Sequence, residues 1–299
     1  MERINSQMKR TALAILCFLI IGIAFPLHAS ADVGPKSSVV VDFKGLDGEI
    51  YYATLLSSTE TTGPYRVADK DNPRYDHNVK EERDHEVFDK FIEYEDNDGF
   101  YFIQYLENCS ETHRLSWGYH PPYEFKILLY FPNTDTFVVS EEIYEKYAFD
   151  SYFTANVSLQ NVDLAEQSEM TVTKSYNYWK EILSLIIRII ITIAIELGIA
   201  LLFGLRSRNV FKSILIINII TQITLNIALN FINYYQGSLV FFLWYILLEI
   251  FVFATEAIIY TIVLKGEAST RRLVLFALVA NLVSFLIGVQ LAFLVPLIF

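Results

Sequence analysis

Short alternations of hydrophobic and polar positions run to about residue 178, after which the chain is almost continuously apolar. Four apolar runs follow, about 182–205, 210–233, 238–264 and 272–298. Each is long enough to cross a ~30 Å hydrocarbon core as a helix rising 1.5 Å per residue. They lack the period of two that a barrel strand needs, so they are helices. The expected fold is a polar α+β domain over 32–178, followed over 179–299 by an all-α four-helix transmembrane bundle.

The polar stretch predicts its own elements. "SVVVDFKGL" and "EIYYATLLSS" read as strands joined in a hairpin by "DGE". "TTGPYRVADKDNPRYDHNVKEERD" is a long loop. In "HEVFDKFIEYED", Val87, Phe88, Phe91 and Ile92 fall at helical spacing, and "NDG" stops the run. "FYFIQYLENC" is a strand, and "YEFKILLYFPNTDTFVVS" is two strands around the turn "PNTD". Ser140 is placed to cap a short helix, "EEIYEKY", and "DSYFTANVS" is a last strand. Strands on both sides of one or two helices give an α+β, sandwich-like domain.

The amino terminus explains how that domain is sorted. Lys9 and Arg10 precede "TALAILCFLIIGIAF", and "PLHASA" then ends in Ala29-Ser30-Ala31. This is a secretory signal peptide over 1–31, cut before Asp32. The rival reading is an uncleaved anchor, but the run of about 15 residues is shorter than the ~20 a span needs. Cys17 is preceded by Leu16, where a lipoprotein box wants a small residue. Cleavage leaves Cys109 alone, so the domain folds without an internal disulfide.

Charge sets the orientation. Arg206, Arg208 and Lys212 lie between the first two runs, and Lys265, Arg271 and Arg272 between the last two. The connection "YYQGS" carries no charge. Positive loops stay inside, which puts 206–209 and 265–271 in the cytoplasm. Residues 32–178 and the carboxyl terminus are then outside a multi-pass protein of the cell membrane. The domain from Asp32 to Tyr178 holds 28 acidic and 12 basic residues. That excess argues against nucleic acid and anionic lipid as its partners, and fits a cationic partner or solubility.

Polar residues inside the apolar runs carry the candidate chemistry, since each is costly if it faces lipid. Arg188, Thr192 and Glu196 form an i, i+4, i+8 stripe, and Asn218, Gln222, Asn226 and Asn230 a ladder with Thr221 beside it. Glu249 and Glu256 share a face about 10 Å apart along the axis, which Tyr260 continues. Asn281, Ser284 and Gly288 make the fourth stripe. Counted from the cytoplasmic ends, Glu196, Asn218, Glu256 and Asn281 lie at one depth. Thr192, Thr221, Gln222, Glu249 and Ser284 lie at the next level outward. The candidate cluster is therefore Arg188, Glu196, Asn218, Thr221, Gln222, Glu249, Glu256, Asn281 and Ser284. It is either helix glue, at roughly 0.6–2 kcal/mol per contact, or a site for a proton, cation or small solute.

Other chemistries lack their residues. No histidine follows His120, no cysteine follows Cys109, and the spans contain no aspartate. Zinc, Ser-His, paired-aspartate and thiol chemistry are thereby excluded from the membrane half; a glutamate-only hydrolase is the one enzymatic reading left. "DNDG" is a poor calcium loop, because its frame puts Tyr94 and Tyr105 at ligand positions that need oxygen donors of a carboxylate kind. His77, His85, His113 and His120 lack ligand spacing, and Cys109 with His113 lacks a third orienting group. No metal and no cofactor is expected. In "WGYHPPYEFKILLYFP", Trp117, Tyr119 and Tyr123 either line a recognition groove or pack the start of a strand.

"TLLSS…GPY", "DGFYFIQYLENC", "WGYHPPYEFKILLYFP" and "YAFDSYF", with "NIITQITLN", "LEIFVFATEAIIY" and "ANLVSFLIG" in the tail, carry a resemblance. Over most of the mature chain the sequence resembles a family of exported four-helix membrane proteins of low-GC Gram-positive bacteria. The resemblance implies that domain and tail form one unit, and brings no activity, ligand or catalytic residue. The expected function is a non-enzymatic envelope binding, sensing or accessory protein. The alternative is a transport or channel component using the Glu/Asn cluster. Its partners are the lipid bilayer and a membrane or envelope protein or a second copy.

Overall fold

The computed structural model describes residues 36–68, 82–159 and 168–294, and the expected leader lies outside them. The described chain forms two compact units. One runs up to Asn177 and takes in Ile232–Val240; the other holds Tyr178–Phe231 and the chain from Phe241 onward.

The first unit is built on strands β1 (Ser38–Lys44), β2 (Tyr52–Ser57), β3 (Glu107–Asn108), β4 (Arg114–Trp117), β5 (Glu124–Phe131), β6 (Thr136–Val139), β7 (Tyr144–Glu145), β8 (Asp150–Leu159) and β9 (Ser168–Lys174), with helix α1 (Glu82–Glu93). One sheet has the order β4-β1-β8-β9; the other has the order β3-β2-β5-β6, with β7 also paired to β5. β1 and β8 are parallel, and the remaining ladders are antiparallel.

Alternation decides which face is buried. Val39, Val41 and Phe43 of β1 and Phe153, Ala155 and Val157 of β8 meet Ala53 and Leu55 of β2 and Phe125, Ile127, Leu129 and Phe131 of β5 in one core. The second sheet is buried on its other face too. Tyr52, Leu56, Leu128 and Tyr130 pack there against Val87, Phe88 and Phe91 of α1, and against Phe102 and Leu106. The unit is thus a sandwich with a helix covering its second sheet, and the α+β expectation holds for it. The two strands around "PNTD" form β5 and β6 in antiparallel register, as the pattern predicts.

Four local expectations change. β1 and β2 do not form a hairpin, because they belong to different sheets. All six residues of β2 are buried, so the strand needs cover on both faces, which a place beside β1 would not supply. The chain crosses between sheets through Gly45, at φ 85°. A Cβ there would stand 2.3 Å from the Val157 carbonyl oxygen, so no side chain fits.

"FYFIQYLENC" contributes one bridge, from Tyr101 to Ser57, and the two residues of β3. Gln104 sits at φ 64° and interrupts the strand. "EEIYEKY" is not a helix. The Ser140 hydroxyl accepts from the Ile127 backbone N–H at 3.0 Å instead of capping, and Tyr144–Glu145 joins β5 as β7. β8 is not the last strand, since β9 pairs along it from Phe153–Lys174 to Leu159–Ser168. "SEMTVTK" is mostly polar and so carries no strand pattern, as an edge strand can.

The second unit consists of α2 (Tyr178–Leu202), α3 (Arg208–Val263) and α4 (Thr270–Leu294). These three helices are long and apolar enough to cross a membrane. The expected count of four separate helices is corrected here: the second and third runs join in α3, of 56 residues. "YYQGS" makes no loop, and the interruption is confined to Gly237, at φ 79° and ψ 177°. Glycine alone adopts that backbone readily, so the break falls where the sequence has it. On either side of it the two arms of α3 pair side by side. The Thr221 hydroxyl reaches Glu256, and the Asn218 amide reaches the Tyr260 hydroxyl. Ser207 caps the start of α3, its hydroxyl accepting from the Val210 N–H at 3.2 Å.

Candidate functional site

The helical unit is apolar outside, and inside it buries polar side chains beside an apolar core of Ile199, Ile214, Ile217, Leu273 and Phe276. Ile216, Ile220, Ile227, Phe251, Ile258 and Ile262 are exposed, whereas Glu196, Asn218, Gln222, Asn226, Glu249, Glu256, Asn281 and Ser284 are buried. The i+4 spacing read from sequence therefore corresponds to an inward stripe on each helix.

Two carboxyl groups organise the interior. Glu196 of α2 is fully buried; its Oε2 accepts from Asn218 Nδ2 at 2.5 Å and from the Tyr260 hydroxyl at 3.2 Å. The same Asn218 amide donates to Tyr260 Oη at 3.0 Å and back to the Ile214 carbonyl at 3.1 Å. Glu256, on the second arm of α3, is also fully buried. Its Oε1 accepts from the Thr221 hydroxyl at 2.6 Å, and its Oε2 from Asn281 Nδ2 of α4 at 2.7 Å. Asn281 also donates to Ala277, and the Ser284 hydroxyl donates to the Asn281 carbonyl. Glu256 and Glu249 both act electrostatically on Glu196. Residues from all three helices thus meet around this pair.

The remaining candidates form a second group. Arg188 Nη1 donates to Asn226 Oδ1 at 3.3 Å, and Asn226 donates to the Gln222 carbonyl at 2.8 Å. Glu249 has Tyr245 and Arg188 as polar neighbours. Three participants stand outside the cluster set out from sequence: Tyr260, Asn226 and Tyr245. Each lies four residues from a member of that cluster on its own arm, Tyr260 from Glu256, Asn226 from Gln222 and Tyr245 from Glu249, so the stripe held the signal for them.

Three buried oxygens in this interior have no hydrogen-bond donor: Glu196 Oε1, Asn218 Oδ1 and Asn281 Oδ1. All three are acceptors, and they belong to side chains whose other polar atoms are committed to the carboxyl pair.

In the sheet unit, Trp117 is fully buried. Its ring packs on Tyr105 at 4.3 Å and Tyr65 at 5.1 Å, and its Nε1–H donates to the Tyr119 carbonyl. It packs in the core, as the second of the two readings has it, whereas Tyr119 and Tyr123 are exposed. Lys36 lies over the Tyr119 ring at 3.8 Å. Cys109 is buried in the same core; its thiol donates to the Arg114 carbonyl at 3.2 Å, and burial pushes its pKa well up, away from a nucleophilic thiolate. His113 pairs instead with the Tyr51 hydroxyl at 3.2 Å.

Lys126 was not singled out by sequence. It is buried, and its ammonium meets Asp96 at 3.1 Å and also Asp98. "DNDG" is a turn: the Asp96 carboxylate accepts from the N–H groups of Asp98 and Phe100, and Gly99 N–H donates to the Asp96 carbonyl. Burial alone would lower the Lys126 pKa, but hydrogen bonds to Asp98 and Asp96 outweigh it and hold it above the ordinary lysine range. Among the described residues, no group of His, Cys, Asp and Glu is arranged to hold a metal ion. Comparison of the chain with protein-family models, curated proteins and solved structures finds no match.

Proposed function

We propose that this is a multi-pass membrane protein whose extracytoplasmic sandwich domain binds a partner in the cell envelope, as a non-enzymatic sensing or accessory component. The observation that carries it is the apolar outer surface of the helical unit, with buried carboxyls and amides within it, in a chain that also holds a conventionally folded sheet unit. Isoleucines and phenylalanines outside, with carboxyls and amides inside, suit hydrocarbon as the surrounding solvent. Each arm of α3 then crosses separately, for four spans. Arg206, Arg208 and Lys212, with Lys265, Arg271 and Arg272, keep their two loops in the cytoplasm. The leader and these loops both support a sheet unit on the outside. Its acidic surface favours a cationic partner, or a neighbouring membrane protein or second copy, and Tyr119 with Tyr123 is the aromatic part of that surface.

Accessibility tags check the topology. A tag at Gln236 is expected to report the outside and one at Glu267 the cytoplasm; the opposite pattern overturns the orientation. Deleting 32–175 with the leader kept is expected to leave the helices inserted and to abolish the cellular phenotype of the full chain. A retained phenotype would move the function to the helices.

A further inference from the structure

We infer that Glu196, with the amide oxygens of Asn218 and Asn281, forms a binding site for a monovalent cation inside the helical unit, with sodium as the cation to test. The inference goes beyond the role of the sheet domain and does not depend on it. It begins from a donor count. The two amide N–H groups of Asn218 are shared among Glu196, Tyr260 and Ile214, and the two of Asn281 go to Glu256 and Ala277. Tyr260 spends its hydroxyl proton on Glu196, and Thr221 spends its own on backbone carbonyls and Glu256.

Three oxygens are left without a donor: Glu196 Oε1, Asn218 Oδ1 and Asn281 Oδ1. Glue alone does not produce this pattern. A network serving only to hold helices pairs its acceptors, because each buried unpaired oxygen opposes assembly. Around the two buried carboxyls the excess is of oxygen acceptors, and acceptors beside a carboxylate are the chemistry of a hard cation. A single charge suits the set better than a double one. The neutral amides bring no charge, and Glu256 is already satisfied at both oxygens by Thr221 and Asn281.

Protons compete for the same carboxylate. The charges acting on Glu196 are Glu256 and Glu249, both from the second arm of α3. That arm also presents Tyr260 and the first arm the amide of Asn218, while α4 contributes the uncharged Asn281 at the neighbouring Glu256. On α2 itself Arg188 lies two turns from Glu196 and is hydrogen-bonded to Asn226. Sodium binding should therefore weaken as pH falls, because the proton and the ion need the same oxygen.

The test uses the full chain in phosphatidylcholine nanodiscs and a hydrophobic carbodiimide, which modifies protonated buried carboxyls. Labelling of the Glu196 peptide is followed by mass spectrometry in sodium chloride and in choline chloride at equal ionic strength. Sodium is expected to slow labelling at Glu196 severalfold, with more sodium needed at lower pH. Asn281→Ala is expected to shrink the ratio of the choline rate to the sodium rate at Glu196, and an unchanged ratio removes Asn281 from the site. Equal rates in sodium and choline overturn the cation site, leaving a proton or water among the helices. Protection at Glu256 and not at Glu196 overturns the assignment of the site. Glu196→Gln identifies the labelled peptide, and because the wild-type comparison stands alone, a variant that fails to fold does not remove the test.

Discussion

The sheet unit and the helical unit solve the same problem with opposite surfaces. In the first, Trp117, Phe88, Phe125 and Leu55 are inside, and glutamates and aspartates are outside. In the second, Glu196, Asn218 and Glu256 are inside and isoleucines are outside. Water makes apolar burial the driving force for the one; hydrocarbon removes that force and leaves packing and hydrogen bonds to hold the other. Even their buried charges differ. Lys126 faces a full counter-charge in Asp96, while the carboxyls of the helices are met mainly by neutral amides and hydroxyls.

The largest expected effect breaks the exception inside the sheet unit. Lys126→Met leaves Asp96 buried without its cation, and is expected to cost about 3–5 kcal/mol in chemical denaturation. The pH dependence has a definite sign. Lys126 titrates above the ordinary lysine value of 10.5 when folded, so its contribution is complete below that pH. It is lost as pH rises through the raised value, and the gap between wild type and variant should close at strongly alkaline pH. A gap that widened there would show the pair is not what holds this turn.

Next is a change that tests the solvent of the helices. Ile220→Lys puts a charge on the exposed face of the first arm of α3, and is expected to cost about 2.5–3.5 kcal/mol in a membrane-insertion assay. The smallest effect is the matching change in the sheet unit. Tyr123→Lys, also on an exposed side chain, should alter stability by no more than about 0.5 kcal/mol. If the two substitutions behaved alike, the contrast between the units would fail.

Much of the second unit was legible because its signals are local. An apolar run of span length, charges in short loops and an i+4 repeat all lie within a few turns of one helix. The sandwich was legible as a class, and β5 with β6 as a pair, because their turn joins them directly. Pairings between distant segments were not. β1 against β8 joins residues more than a hundred positions apart, and nothing near "SVVVDFK" says that its neighbour is "DSYFTANVSL". Lys126 looked like an ordinary strand residue because its partners lie about thirty positions earlier.

Sequence alone thus determined which residues want water, which want hydrocarbon, and that Glu196, Glu249 and Glu256 need an explanation. Only the tertiary structure decided their company. It set Asn218 and Tyr260 on Glu196, and Thr221 and Asn281 on Glu256, and it left three oxygens over. The reason is physical. Burial preference belongs to a residue and its period, whereas a hydrogen bond depends on a partner that another helix brings into reach.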